Sequence, residues 1–348
     1  MRQKRKYVAI DEKGVISVEE GSIPEPGYGE VLVKVHASLI SPGTELGGVI
    51  NARKNPRKKK TKRAFGYSNA GEVISTGNGC GHIKKGMKVA CMGGEAPHAS
   101  HACVPRNLCV PIPDGVSYQE ATFACLGATA LQAIRRAELQ LGENVAVLGL
   151  GIVGQLCSQL AKIAGCHVIS WDSLPLRLKK AEKIVDQIVN IKKNDPISLT
   201  NEFTRGYGLD AGFICFGGEA TEAFKQLVAC MKTAPDTHKM GRIVIVGGAT
   251  ITHEFAVGLG NLDIRSASRT GPGYHDESWE HGRDYPPVFV EWTTQRNLEE
   301  ILRWIKEKQI DVKSLITDEV PLIQAPEACE KLIQHPDQAL GVILRPQF

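Results

Sequence analysis

Residues 144–172 read NVAVLGLGIVGQLCSQLAKIAGCHVISWD, and this stretch decides the fold. The apolar strand VAVL runs into Gly149, Gly151 and Gly154, spaced G-x-G-x-x-G, and an apolar helical segment follows at once. Each glycine has its own expected role. The first makes a tight turn, the second lets the backbone approach a pyrophosphate, and the third packs helix against strand. Backbone amides opening the helix, those of Ile152 and Val153 among them, then face the anion. A second apolar strand, HVISWD, ends in Asp172, 23 residues beyond Gly149. A carboxylate there accepts both hydroxyls of an adenosine ribose and repels a 2′-phosphate, so the spacing predicts NAD as the cofactor. The plain alternative, a tight turn and a solvated acid, leaves the strand–turn–helix context unused. Arg177 follows, either beside the cofactor or on the exposed face of the next helix.

Further along, IVNI, DAGFICFGG and GRIVIVGG alternate with amphipathic segments. Near-continuous apolar strands between helices read as an α/β architecture, a Rossmann-type doubly wound parallel sheet covered on both faces. Toward the N-terminus, the first 120 residues break into short strands punctuated by Gly and Pro, such as EVLVKVHAS, AGEVISTG and KVACMGG. From Ser117 the pattern turns helical (SYQEATFACLGATALQAIRRAELQ), with Ser117 and Glu120 spaced as a capping box. The expected division is a β-rich domain over residues 1–124 and a nucleotide-binding domain over 125–262. Residues 263–348 then complete the coenzyme sheet and return to the first domain.

With 348 residues, 42% hydrophobic and 23% charged, the composition is that of a globular chain of about two domains and excludes disordered or fibrous classes. The ten cysteines include no close C-x-x-C pair and fall mostly in apolar segments, as reduced thiols packed as small hydrophobes do. The basic start, MRQKRKYVAIDEKG, meets Asp11 and Glu12 before any apolar stretch of signal length, and no run approaches the roughly 20 residues that span a bilayer. The expectation is a cytoplasmic protein without a membrane partner.

Several segments together resemble the medium-chain dehydrogenase/reductase superfamily: EVLVKVHASLISPGTEL, AFGYSNAGEVISTG, KKGMKVACMGG, VPRNLCVPIPDGVSYQEATF, LGATALQAI, VAVLGLGIVGQL and GRIVIVGG. The resemblance covers nearly the whole chain and implies a GroES-like catalytic domain joined to the Rossmann domain. It also implies that Thr129 lies near the nicotinamide, that backbone groups of Val246, Gly247 and Gly248 contact its ring, and that the protein forms dimers or tetramers. Zinc-dependent members carry a Cys where this chain has Ser41, and His-Glu where it has Tyr67-Ser68. Only Cys125 falls at a ligand position, and tetrahedral catalytic zinc needs about three protein ligands. The spaced cysteines of the structural zinc lobe are missing too, so no metal is expected. The S-P-G-T-E and G-Y-S variants, with SRTGPGYHDESWEHGRDYPP, resemble a zinc-less branch that includes bacteriochlorophyllide dehydrogenase-like proteins and the first half of bi-domain sugar oxidoreductases.

Without zinc, a side chain must exchange the alcohol proton as hydride moves, a service worth roughly 10² to 10⁴-fold. Glu45 and Tyr67 are the candidates, with Thr44 extending a relay and His275, beside Gly271 and Gly273, next in line. A brace of the turn for Glu45 and a volume filler for Tyr67 are the bland alternatives. His98, His101 and His281 read as loop histidines with local hydrogen bonds. Residues 53–63, RKNPRKKKTKR, hold eight basic residues and no acid against a whole-chain charge of +4. The run either draws in an anionic small-molecule substrate or is a solvated loop; it lacks the interleaved aromatics of single-strand nucleic-acid binders. The reading is reversible hydride transfer between NAD and a secondary hydroxyl of a sugar, cyclitol or polyol. Its rivals are reduction of an enone or quinone and a catalytically inactive nucleotide-binding protein.

Overall fold

A computed structural model of the chain describes residues 4–58 and 61–347. It divides into two compact units, Met1–Ala128 with Thr270–Phe348, and Thr129–Arg269. In the second unit, the described residues form a six-stranded parallel sheet: β1 (Asn144–Leu148), β2 (His167–Asp172), β3 (Gln187–Asn190), β4 (Ala211–Ile214), β5 (Met240–Val246) and β6 (Asn261–Ala267). Their spatial order is β3-β2-β1-β4-β5-β6. This is the doubly wound order, whose direction reverses between β1 and β4 and leaves a crevice at the carboxyl ends of those strands. Because β6 closes this sheet, the unit runs to Arg269 rather than stopping at residue 262.

Burial on both faces explains the unbroken apolar strands. Val145, Ala146 and Val147 are wholly buried, and Leu148, Ile169, Trp171 and Ile214 share a core cluster with Phe224 and Leu227. Gly212 on β4 lets the following helix, Thr221–Cys230, sit close: a Cβ there would stand 2.6 Å from Leu227 Cδ1. The helix α1 (Ile152–Ile163) packs on β1 and β2. Between β3 and β4 lies a further helix, Pro196–Phe203, absent from the sequence expectation; Asp195 caps it by accepting from the Ile197 and Ser198 amides.

The first unit is β-rich. Its long central strand, Glu30–Leu39, pairs antiparallel with Ser68–Thr76 and His101–Pro105, and Ser68–Thr76 pairs in turn with Lys88–Met92. The C-terminal strand Gly341–Arg345 completes this sheet by pairing Ile343 with Leu39 and Leu344 with Ser38. Leu46 and Val49 from the helix Thr44–Lys54 enter a core with Val8, Ile10, Phe65 and Leu344. That helix too lies outside the sequence expectation, because the Gly-rich, charged segment TELGGVINARK has almost no amphipathic pattern to reveal it. It takes Arg53 and Lys54 out of the basic run, Arg53 pairing with Glu330, while Lys62 pairs with Glu19. Lys59 and Lys60 lie outside the described residues. The capping box at Ser117 and Glu120 forms, but the helical stretch breaks at Thr122–Phe123 into Tyr118–Ala121 and Ala124–Ala137. All ten cysteines are free thiols, eight of them buried, and no helix among the described residues is long and apolar enough to cross a membrane.

Gly154 carries the tightest demand in the sheet unit: a Cβ on it would lie 1.8 Å from the Gly149 carbonyl oxygen, a backbone atom that cannot rotate away. Gly154→Ala is therefore expected to destabilise the protein by about 3 kcal/mol or more, at or above the upper range for overpacked sites. Gly151→Ala, with open space around it, costs about 1 kcal/mol as a poorer helix cap. Urea unfolding of the two variants checks the contrast.

Candidate active site

At the carboxyl edge of the sheet, Leu148, Ile214 and Ile245 stand side by side in register. The residues that follow each of them, Gly149, Cys215 and Val246, therefore share one edge. Gly149 adopts φ +87°, the left-handed conformation its turn requires. Gly151 caps α1 without a side chain, and nothing lies within 4 Å of where its Cβ would be. The first-turn amides of Ile152, Val153 and Gly154 have no partners within the helix. Free amides at a helix start are what an anion cradle needs. Val246 is buried at the end of β5, and Gly247, at φ +108°, and Gly248 continue past it, with the Gly248 carbonyl accepting from the Gly218 amide.

Asp172 is more deeply engaged than a ribose acceptor needs to be. It is only 6% exposed; its Oδ2 accepts from the Leu150 amide at 2.7 Å, and its Oδ1 accepts from the Ser173 and Leu174 amides. Arg177 Nη1 lies 3.7 Å from Oδ2. The carboxylate thus ties the glycine turn to the end of β2, and Arg177 faces it. The turn is further braced by Gln155, whose buried amide donates to the Leu150 and Arg177 carbonyls. These residues fit a dinucleotide: three glycines with the required turn, opening and packing, a helix start without a side-chain cap, and an acid at the adjacent strand end. Thr129 sits half-buried on the helix Ala124–Ala137, at the start of this unit.

The first unit gathers a polar cluster around Glu45. Glu45 lies in the first turn of the helix Thr44–Lys54, where a negative charge meets the positive end of the helix dipole. Its Oε2 accepts from the Ser41 amide at 2.8 Å and faces His98 Nε2 at 3.3 Å. His98 Nδ1 lies 3.0 Å from Ser38 Oγ. Tyr67 Oη donates to Ser41 Oγ at 2.6 Å. Ser38, Ser41, Glu45 and His98 are buried, whereas Tyr67 is half-buried. Burial raises the Tyr67 pKa, the nearby Cys125 and Glu45 add to this, and the bonds to Ser41 and Thr44 work against it. The structure therefore brings Glu45, Thr44 and Tyr67 together. His275, at φ +76°, is exposed, with its ring against Tyr274, and no contact joins it to this cluster among the described residues.

His98 is the member whose importance a loop-histidine reading misses. It is completely buried, and Gly66, at φ +112°, makes room for it: a Cβ there would stand 2.4 Å from the His98 backbone nitrogen and 2.7 Å from its ring. Its partners lie 53 and 60 residues away, so no local spacing could announce the pairing. His101 instead bonds Ser100, and His281 bonds the Glu277 carbonyl.

Catalytic zinc does not fit these side chains. Ser41 and Tyr67 bond each other, and burial pushes the Cys125 thiol up, which keeps its proton on. Among the described residues no three His, Cys, Asp or Glu side chains converge as ligands.

A family model described as "Zinc-binding dehydrogenase" matches residues 153–281. Sorbitol dehydrogenase of Bacillus subtilis is 25% identical over 99% of this chain and 98% of its own length. Among solved structures, an oxidoreductase/dehydrogenase of unknown specificity from Escherichia coli superposes with a TM-score of 0.83 at 20% identity, covering 99% of this chain and 100% of that one. Galactitol-1-phosphate dehydrogenase from Escherichia coli gives 0.80 at 18%, covering 98% and 100%. The protein is an oxidoreductase. These matches support the resemblance to the medium-chain dehydrogenase/reductase superfamily.

Asp172→Ser is expected to act twice. Loss of a charged hydrogen-bond acceptor costs about 1.5–3 kcal/mol, so NAD binding should weaken roughly tenfold to a hundredfold while the gap to NADP narrows. The Leu150 amide also loses its partner, so thermal stability falls. Titration with both dinucleotides, alongside a melting curve, checks both effects; unchanged affinity for both would place the ribose elsewhere.

Proposed function

We propose that the protein is a zinc-independent, NAD-dependent dehydrogenase that interconverts a secondary hydroxyl and a ketone on a polyol, sugar or cyclitol. The observation that carries this reading is the bond between Tyr67 and Ser41, which stand where the resemblance puts zinc ligands, with Glu45 accepting from the Ser41 amide beside them. The polyol class is supported by the likeness to sorbitol dehydrogenase, and NAD by the acid at Asp172. Bound NAD supplies the acceptor for hydride. The chain's own residues first hold that cofactor. The amides opening α1 bind the pyrophosphate, with Gly151 admitting it and Asp172 holding the ribose. Arg177, already facing Asp172, closes that end of the site. Thr129 and the backbone of Val246–Gly248 orient the nicotinamide.

They must then exchange a proton. Oxidation leaves a proton on the substrate oxygen that has to depart as the carbonyl forms, and a positioned acid–base group speeds this by roughly 10² to 10⁴-fold. Tyr67 and Glu45 perform it, with Thr44 beside the phenol. Glu45→Gln and Tyr67→Phe nearly preserve shape while removing proton-transfer capacity. Each is expected to keep NAD affinity and lose turnover by about a hundredfold; wild-type turnover in both would end the assignment.

The substrate class is tested by mixing the protein with NAD or NADH and panels of polyols, ketosugars and enones while following reduced-nicotinamide absorbance. Polyol or ketosugar turnover is expected, and turnover confined to enones would overturn the reading. Elemental analysis of the active preparation should show far less than one zinc per chain, and chelators should leave the rate intact. A stoichiometric zinc whose removal abolishes activity would contradict the metal-free mechanism.

A further inference from the structure

Two thiols meet beside the glycine turn. Cys215 follows the last residue of β4, and its amide donates to the Leu148 carbonyl at the end of β1, 2.8 Å away. It is half-buried, whereas Cys157, on α1, is wholly buried. Gly154 lies three residues before Cys157 on the same helix, so the two share a face. A Cβ on Gly154 would stand 3.4 Å from Cys215 Cβ. That face sets Cys157 behind Cys215, and their side chains share a hydrogen bond. The bond and burial both push the Cys157 thiol up, so it keeps its proton and donates to Cys215. The other two thiols of this unit are engaged elsewhere: Cys166 donates to the Gln140 carbonyl at 3.6 Å, and Cys230 meets Thr200.

We propose that Cys215 and Cys157 form an oxidative modification site: hydrogen peroxide oxidises the outer thiol, the inner thiol resolves it as a disulfide, and the closed form binds the dinucleotide more weakly. This rests on the dinucleotide site of the dehydrogenase reading, not on its substrate or its acid–base pair. The Cys215 sulfur, as thiolate, attacks one peroxide oxygen. The O–O bond breaks, the second oxygen leaves as water with the thiol proton, and Cys215 becomes a sulfenic acid. Sulfur gives up two electrons and the peroxide takes them. The Cys157 sulfur then attacks Cys215 Sγ. The S–S bond forms, the S–O bond breaks, and hydroxide departs with the Cys157 proton as water. Two thiols and one hydrogen peroxide thus give one disulfide and two waters, and a dithiol reductant reverses the change by taking the disulfide onto itself.

Closure reaches the cofactor site through Phe216. Bonded sulfurs sit far closer than hydrogen-bonded ones, so either α1 or the chain after β4 has to move. The helix is already pressed on the turn, since a Cβ on Gly154 would lie 1.8 Å from the Gly149 carbonyl oxygen. The chain after β4 therefore takes up the movement. Its next residue, Phe216, lies against the first glycine, where a Cβ would stand 2.8 Å from Phe216 Cδ1. Drawing Cys215 toward α1 shifts Phe216 against the turn whose shape the pyrophosphate requires. The coupling is reciprocal: the factor by which the disulfide weakens dinucleotide binding is the factor by which bound dinucleotide disfavours the disulfide.

The test uses the full chain, reduced, exposed to hydrogen peroxide and alkylated before digestion. Trypsin releases the two cysteines in separate peptides, residues 137–162 and 206–225, so their disulfide appears in mass spectra as one linked species that dithiothreitol separates. That species is expected as the first oxidation product, ahead of any change at Cys166 or Cys230. In Cys157→Ser it should give way to a dimedone adduct on Cys215, and in Cys215→Ser no peroxide-dependent product should form at Cys157. By calorimetry the oxidised protein is expected to bind NAD at least about tenfold more weakly than the reduced one, with dithiothreitol restoring the affinity and saturating NAD opposing closure. Absence of the linked species while other cysteines oxidise, a Cys157→Ser protein without the adduct, or equal NAD affinity before and after oxidation would overturn the proposal. A protein that binds NAD in neither state defeats the cofactor reading, and the linked species and the adduct then judge the thiol pair.

Discussion

The bond from the Leu150 amide to the Asp172 carboxylate, 2.7 Å long and buried, is the constraint on which the second unit's site depends. It joins the turn after β1 to the end of β2, two points that parallel pairing alone would leave as neighbouring loose ends. With Gly154 pressed against the Gly149 carbonyl, the turn has one available shape. That shape leaves the space beside Gly151 open at the start of α1. The acid expected to select the ribose is thus also the acid that holds the phosphate cradle, so cofactor choice and the integrity of the turn are coupled through one side chain.

In the first unit the ordering principle is burial of charge. A carboxylate withdrawn from water is tolerated when donors surround it. Glu45 has the Ser41 amide, His98 and the helix start on one side, and an unpaired oxygen on the other. A cluster built only to brace a turn would be expected to satisfy both oxygens. The unpaired atom is the feature of the cluster that bracing alone does not explain.

The fold is legible in the sequence where one period dominates. Strands β1, β2, β4 and β5, the glycine turn and Asp172 all follow from an apolar run meeting a fixed spacing, because both faces of a parallel sheet are buried and the turn tolerates few alternatives. The helix Thr44–Lys54 is not legible, since three residues of its core-facing side are set among glycines, asparagine and charges. Without that helix, the burial of Glu45 is hidden as well. His98 and Ser38 escape for a different reason. Their chemistry depends on strands that meet only after folding, and the one local trace is the glycine at position 66 that His98 requires. Glu45 and Tyr67 can be named because they stand at positions that the superfamily resemblance marks; their hydrogen-bonded link through Ser41 cannot.

Direct hydride transfer to a nicotinamide without a metal is the central claim. It is tested most directly by oxidising a polyol deuterated at its secondary carbinol carbons, with NAD and a zinc chelator present, and following the reduced cofactor by mass spectrometry and NMR. Stoichiometric deuterium at nicotinamide C4, on one face of the ring, is the expected result. Reduced cofactor lacking deuterium, or no reduction until zinc is restored, would contradict it.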